Sequence, residues 1–76
     1  MTPAAQLELP LFDRAQMALQ QSPHVSARNV QLMADQGRVI LRGVVRSFFQ
    51  KQMAQEALRR IEGVETIENH LQVHWL

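Results

Sequence analysis

Asp35-Gln36-Gly37-Arg38-Val39-Ile40-Leu41-Arg42-Gly43-Val44-Val45, followed after Arg46 by Ser47 and a long helical pattern, is the stretch that decides the fold. Asp35-Gln36-Gly37 is a short turn whose glycine supplies a positive φ. Arg38 to Val45 alternates, sending Val39, Leu41, Gly43 and Val45 to one side and Arg38, Ile40, Arg42 and Val44 to the other. Arg46 continues the second series if the strand extends. Ser47 is a good helix N-cap, and Gln50 three residues later completes a capping box.

Working outward, Val30-Gln31-Leu32-Met33-Ala34 alternates as a strand with Val30, Leu32 and Ala34 on one face. The helix after Ser47 is expected to reach about Glu62. Ala54, Ala57, Leu58 and Ile61 form its core stripe, with Met53 at the margin. Glu56 and Arg60 are spaced to pair at i,i+4, and Gly63 is expected at C′. A third strand is expected from about Thr66 to Trp75. Ile67, Asn69, Leu71, Val73 and Trp75 share one face; Glu68, His70, Gln72 and His74 share the other. Upstream, a helix is expected from Pro10, placed as its first residue, to Gln21, with Asp13 in the first turn. Leu11, Ala15, Ala18 and Leu19 line its inner face, Phe12 flanks it, and Pro23 ends it.

The order is αββαβ. The expected class is α+β: a two-layer sandwich with two helices on one face of a three-stranded mixed sheet. A β-α-β crossover makes the third strand parallel to the second, and the second strand is placed in the centre. Gly43 is expected to let a helix lie close to the sheet, as are Ala54 and Ala57. Residues 1–8 are expected to be a flexible N-terminal tail, and residues 9–76 a single domain.

The 76 residues form one small domain, with a hydrophobic fraction of 46% that suits a folded chain. A domain this size buries about 60–65% of the surface of its unfolded form. A net charge of +1 argues against a dedicated polyanion binder, though not against a local basic patch. The absence of cysteine removes disulfides, thiol chemistry and Cys-ligated zinc. Met1 to Gln6 carries no Lys or Arg and no apolar core, so no signal peptide is expected. No apolar run approaches transmembrane length. The cytoplasm is the default expectation, and the envelope if the chain is part of a larger exported protein.

Val30-x-Leu32, Gly37-x-Val39-x-Leu41-x-Gly43-x-Val45, Ser47, Ala54, Ile61-x-Gly63-Val64 and Ile67-x-Asn69-x-Leu71-x-Val73 together resemble the BON domain. The resemblance covers about residues 11–74. It implies an αββαβ fold, no enzymatic activity, and attachment to phospholipid membranes or other envelope components. Two features differ from the family pattern. No export signal, lipid anchor or second copy is expected from these residues, and the second helix begins with Phe48-Phe49 where the family is usually polar.

No catalytic constellation is legible. Ser47 is accounted for as a cap, and there is no nucleophile elbow or phosphate-binding glycine loop. Asp13, Asp35, Glu56, Glu62, Glu65 and Glu68 are scattered over separate elements. His70 and His74 share a strand face but stand about 13 Å apart at about 3.3 Å per residue, too far to share one metal. No metal or cofactor is expected. Asn69 faces inward by parity and is expected to bond local backbone where the last helix meets the last strand.

The candidate binding surface is the outer face of the second strand: Arg38, Ile40, Arg42, Val44 and Arg46, with Phe48 and Phe49 beyond it. Two uses remain open. One is weak peripheral attachment to anionic phospholipid, each basic residue near such a surface contributing about 1 kcal/mol. The other is protein interaction or self-association, including a homo-oligomer, seeded by Phe48 and Phe49. The same face also fits a one-sided sheet decorated for solubility. Nucleic acid is not expected as a partner, because no aromatic lies on this face to stack bases.

Overall fold

The computed structural model describes residues 9–25 and 29–74, in the order α1 (Leu11–Gln21), β1 (Val30–Asp35), β2 (Arg38–Val45), α2 (Phe48–Arg59), β3 (Thr66–Val73). The expected tail over residues 1–8 and the expected inward Trp75 lie outside the described residues.

The strands form one mixed sheet in the order β1-β2-β3, so β2 is central as expected. β1 pairs antiparallel with β2, from Val30 opposite Gly43 to Asp35 opposite Arg38. β3 pairs parallel with β2, from Arg38 opposite Thr66 to Val45 opposite Val73. The hairpin needs only two residues, Gln36 and Gly37, with φ of 49° and 85°. Two consecutive positive values define a type I′ turn, whose twist matches that of the flanking strands. The Gly37 carbonyl then accepts from the amides of Glu65 (2.7 Å) and Thr66 (3.2 Å), holding the start of β3 against the hairpin tip.

Both helices pack on one sheet face. Ala15, Leu19, Val30, Leu32, Val39, Leu41, Val45, Ala54, Leu58 and Leu71 are buried together there with Val25. Leu41 and Leu58 are wholly enclosed, which matches the predicted parity of β2 and the stripe of α2. Three aliphatic strands facing two narrow apolar stripes leave this as the single arrangement that hides every stripe.

Local details depart from expectation in instructive ways. Pro10 is the N-cap of α1 rather than its first residue, with extended ψ and no side-chain cap; its carbonyl accepts from Arg14 N–H. α2 stops at Arg59, before the expected Glu62, because Ile61 N–H turns back to Leu58 O and Val64 N–H to Ile61 O. Gly63 thus sits in a later turn and is not C′ of α2. Glu56 pairs with Arg59 at i,i+3 (3.2 Å), not with Arg60. Gly43 serves a different purpose from the one expected. A Cβ there would lie 2.0 Å from the Asn29 carbonyl oxygen, so its bare backbone admits the start of β1, not a helix.

Candidate functional site

The outer face of the sheet is built in rows fixed by register. Asp35, Arg38 and Thr66 make the row nearest the hairpin. Met33, Ile40 and Glu68 make the next, then Gln31, Arg42 and His70, then Val44 with Gln72. A shallow depression lies at the far end, lined by Arg42, Gly43, Val44, His70 and Gln72.

Near the hairpin the charges are mutually satisfied. Arg38 Nη1 donates to Glu68 Oε2 at 3.0 Å, and His70 Nε2 donates to Glu68 Oε1 at 3.2 Å. These contacts, the His70 hydrogen bond foremost and the Arg38 guanidinium after it, hold the Glu68 carboxyl below the usual carboxylate range. Arg38, expected to be available to a ligand, is thus engaged by a carboxylate from β3.

Ile40 also departs from expectation. It has the outward parity predicted, yet only 9% of it is exposed. It stands in the central strand between Met33 and Glu68, with Arg38 and Arg42 on either side along β2. Long flanking side chains wall off a β-branched residue in that position. Ile40 is therefore not part of an accessible surface.

The opposite end of the sheet differs in charge. Residues 39–55 contain no Asp or Glu, and neither do residues 14–34 or 69–76. Arg42 and Arg46 are exposed, and among the described residues neither guanidinium has a hydrogen-bond or ion-pair partner. β2 ends at Val45, so Arg46 lies in the bend before α2 rather than on the strand. There its amide donates to Gln50 Oε1 (2.7 Å), while Ser47 Oγ accepts from Gln50 N–H (3.1 Å). The capping box is present, with its return bond shifted one residue upstream from Ser47 to Arg46.

That cap presents the two phenylalanines. Phe48 is 64% exposed and Phe49 54%, so neither is tucked into the core. Phe49 meets the His24 ring edge-on at 4.9 Å between centroids, which ties the start of α2 to the loop after α1. No sequence signal pointed to that contact, since it joins a loop residue and a helix residue through tertiary packing alone.

Asn69 is used structurally. Its Nδ2 donates to Lys51 O (3.0 Å) and Gln55 Oε1 (3.2 Å), and its Oδ1 accepts from Leu71 N–H (3.2 Å). The Leu71 bond is to local backbone as expected, but the two donors reach the body of α2 at Lys51 and Gln55, not the helix-to-strand junction. Among the described residues no group of three His, Asp or Glu side chains could hold a metal. No helix among them is long and apolar enough to cross a membrane.

Comparison with the curated proteins gives no match. A family model described as the BON domain matches residues 13–74, most of the chain, and that family is one of binding modules, often related to phospholipid or the envelope. The hairpin, the glycine that admits the start of β1 and the Asn69 clasp all fall inside the match, and the chain belongs to the BON domain family.

Proposed function

We propose that the protein is a non-catalytic module that attaches peripherally to anionic phospholipid surfaces through the carboxylate-free end of its sheet. One observation carries this reading. Two arginines without a carboxylate partner among the described residues, Arg42 and Arg46, stand on either side of exposed Val44 along the chain and lead into exposed Phe48 and Phe49, and the rows of Arg42 and Val44 carry no Asp or Glu. Cations beside exposed aromatics suit a head-group layer, where guanidinium meets phosphate and the rings enter the apolar boundary.

The magnitudes make this a weak attachment. Arg42 and Arg46 contribute about 2 kcal/mol in all at about 1 kcal/mol each. Fully burying a phenylalanine contributes about 1.5–3 kcal/mol, and the exposed part of each ring a fraction of that. The total sits near or somewhat above the roughly 4 kcal/mol of a millimolar complex. Added salt should weaken the attachment steeply.

Co-sedimentation with vesicles tests the reading. The protein should pellet with anionic vesicles at low salt, less at physiological salt, and not with neutral vesicles. No pelleting with anionic vesicles at low salt would sink it and favour the second reading, in which Phe48 and Phe49 dock a protein partner.

A further inference from the structure

The two outer edges of the sheet are finished differently. Along β3, the amides of Thr66 and His74 point to β2, donating to Gly37 O (3.2 Å) and Val45 O (2.9 Å). Odd-numbered amides of β3 therefore point outward. In the middle of that outward row, Leu71 N–H is already taken by Asn69 Oδ1, and Asn69 is itself clasped to α2. A strand added along β3 would have to break this arrangement.

β1 carries no such guard. In a two-residue hairpin Asp35 and Arg38 form the last hydrogen-bonded pair, so the amides and carbonyls of Val30, Leu32 and Ala34 point away from β2. Among the described residues nothing pairs with them. The strand Val-Gln-Leu-Met-Ala-Asp has none of the devices that usually blunt an edge: no Lys, no Pro, and no inward charge. Apolar side chains flank the edge on both faces. Met33, 51% exposed, stands on the outer face of β1. On the inner side α1 packs over β1, and Ala18 and Gln21 of that helix turn toward α2. Helical geometry then puts Phe12, 42% exposed, on the opposite flank, over the free edge.

We propose that this edge pairs with the same edge of a second copy, giving a two-fold dimer with a continuous six-stranded sheet. The strand is self-complementary in one antiparallel register. Leu32 lies opposite Leu32 of the second copy, Val30 opposite Ala34, Gln31 opposite Met33, and Asn29 opposite Asp35. The outward-pointing backbone groups of Val30, Leu32 and Ala34 meet their counterparts, and every even-numbered side chain stays on the helical side. The single charge of the strand, Asp35, meets a neutral amide, so no like charges oppose each other. The two-fold axis keeps both helical layers on one side and brings the two Phe12 flanks together. This inference is independent of the membrane reading, although it would set two copies of the Arg42 and Arg46 surface on one sheet.

Sedimentation velocity of the full chain from low to high micromolar concentration tests it, with circular dichroism to verify folding. The wild type should move from 8.7 kDa toward twice that mass as concentration rises. Gln31→Lys with Met33→Lys changes two exposed residues and sets ammonium groups against each other across the interface; it should remain folded and monomeric. Gln31→Glu with Met33→Lys places a carboxylate opposite an ammonium in this register alone and should restore the dimer. A wild type that stays monomeric throughout would overturn the proposal, and would leave the edge to an extended segment of another protein. So would a dimer that survives the double lysine variant, or one that the charge-paired variant fails to restore.

Discussion

Gly43 and Asn29 approach so closely that a Cβ on the glycine would stand 2.0 Å from the Asn29 carbonyl oxygen, and the glycine holds φ at 133°. Both the space and the conformation exclude a side chain. Gly43→Ala should cost about 2–4 kcal/mol, from backbone displacement and a φ that L-residues rarely adopt. For a domain of this size that is a large share of the total stability. Urea unfolding followed by far-ultraviolet circular dichroism measures it.

Ser47 closes the start of α2 and, through Gln50, the Arg46 bend. Ser47→Ala should cost about 1 kcal/mol. It should also loosen the presentation of Phe48 and Phe49. The first effect is read by the urea midpoint, the second by faster hydrogen exchange at the Gln50 amide.

Asn69 joins α2 to β3 through two hydrogen bonds and accepts a third from Leu71 N–H within β3. Asn69→Asp keeps the acceptor for Leu71 N–H and removes both donors. It should cost about 1–2 kcal/mol. Asn69→Ser, shorter and still able to donate, is not expected to recover the loss, because it cannot reach Lys51 O. Parallel denaturant curves decide between them.

Glu68 links stability to pH. The His70 hydrogen bond, and after it the Arg38 guanidinium, hold its folded-state pKa below the ordinary carboxylate value. A depressed acid contributes fully above its unfolded-state pKa and loses that contribution as pH falls through the folded-state value. Stability should therefore decline on acidification through and below the normal glutamate range. Glu68→Gln should flatten that decline while leaving a smaller difference between neutral and acidic pH. Urea midpoints collected across that range provide the check.

Removing the charges at the carboxylate-free end should weaken vesicle attachment without unfolding the chain. Arg42→Gln with Arg46→Gln removes about 2 kcal/mol at about 1 kcal/mol per residue, or about thirtyfold in partitioning at low salt. Arg38→Gln, whose arginine already faces Glu68, should have a much smaller effect. Equal losses in both variants would refute the assignment of the site to one end of the sheet.

Much of this architecture was legible in the residues. Alternation in β1 and β2 set the buried face, Gln36-Gly37 set the hairpin, and Ser47 with Gln50 marked the start of α2. What escaped the sequence was decided by tertiary neighbours. The parity of Ile40 was read correctly, but its enclosure depends on which long side chains flank it in the sheet. Arg38 looked available because its carboxylate comes from a strand thirty residues away. The separation of charge along the sheet became visible only once register showed which rows share an end. The end of α2 was misjudged because two tight turns at Ile61 and Val64 compete with another turn of helix, and local propensity does not separate the two.

The carbonyl of Gly37 gives the hairpin tip a second duty, since it also receives the first amides of β3. Surface turns commonly accept insertions at little cost, and this one should not. One extra residue there would shift the seam between β1 and β2 and, in the same stroke, unmoor the strand arriving on the other side. Length variation among proteins of this kind is therefore expected elsewhere, in the stretch between α1 and β1 rather than at the tip.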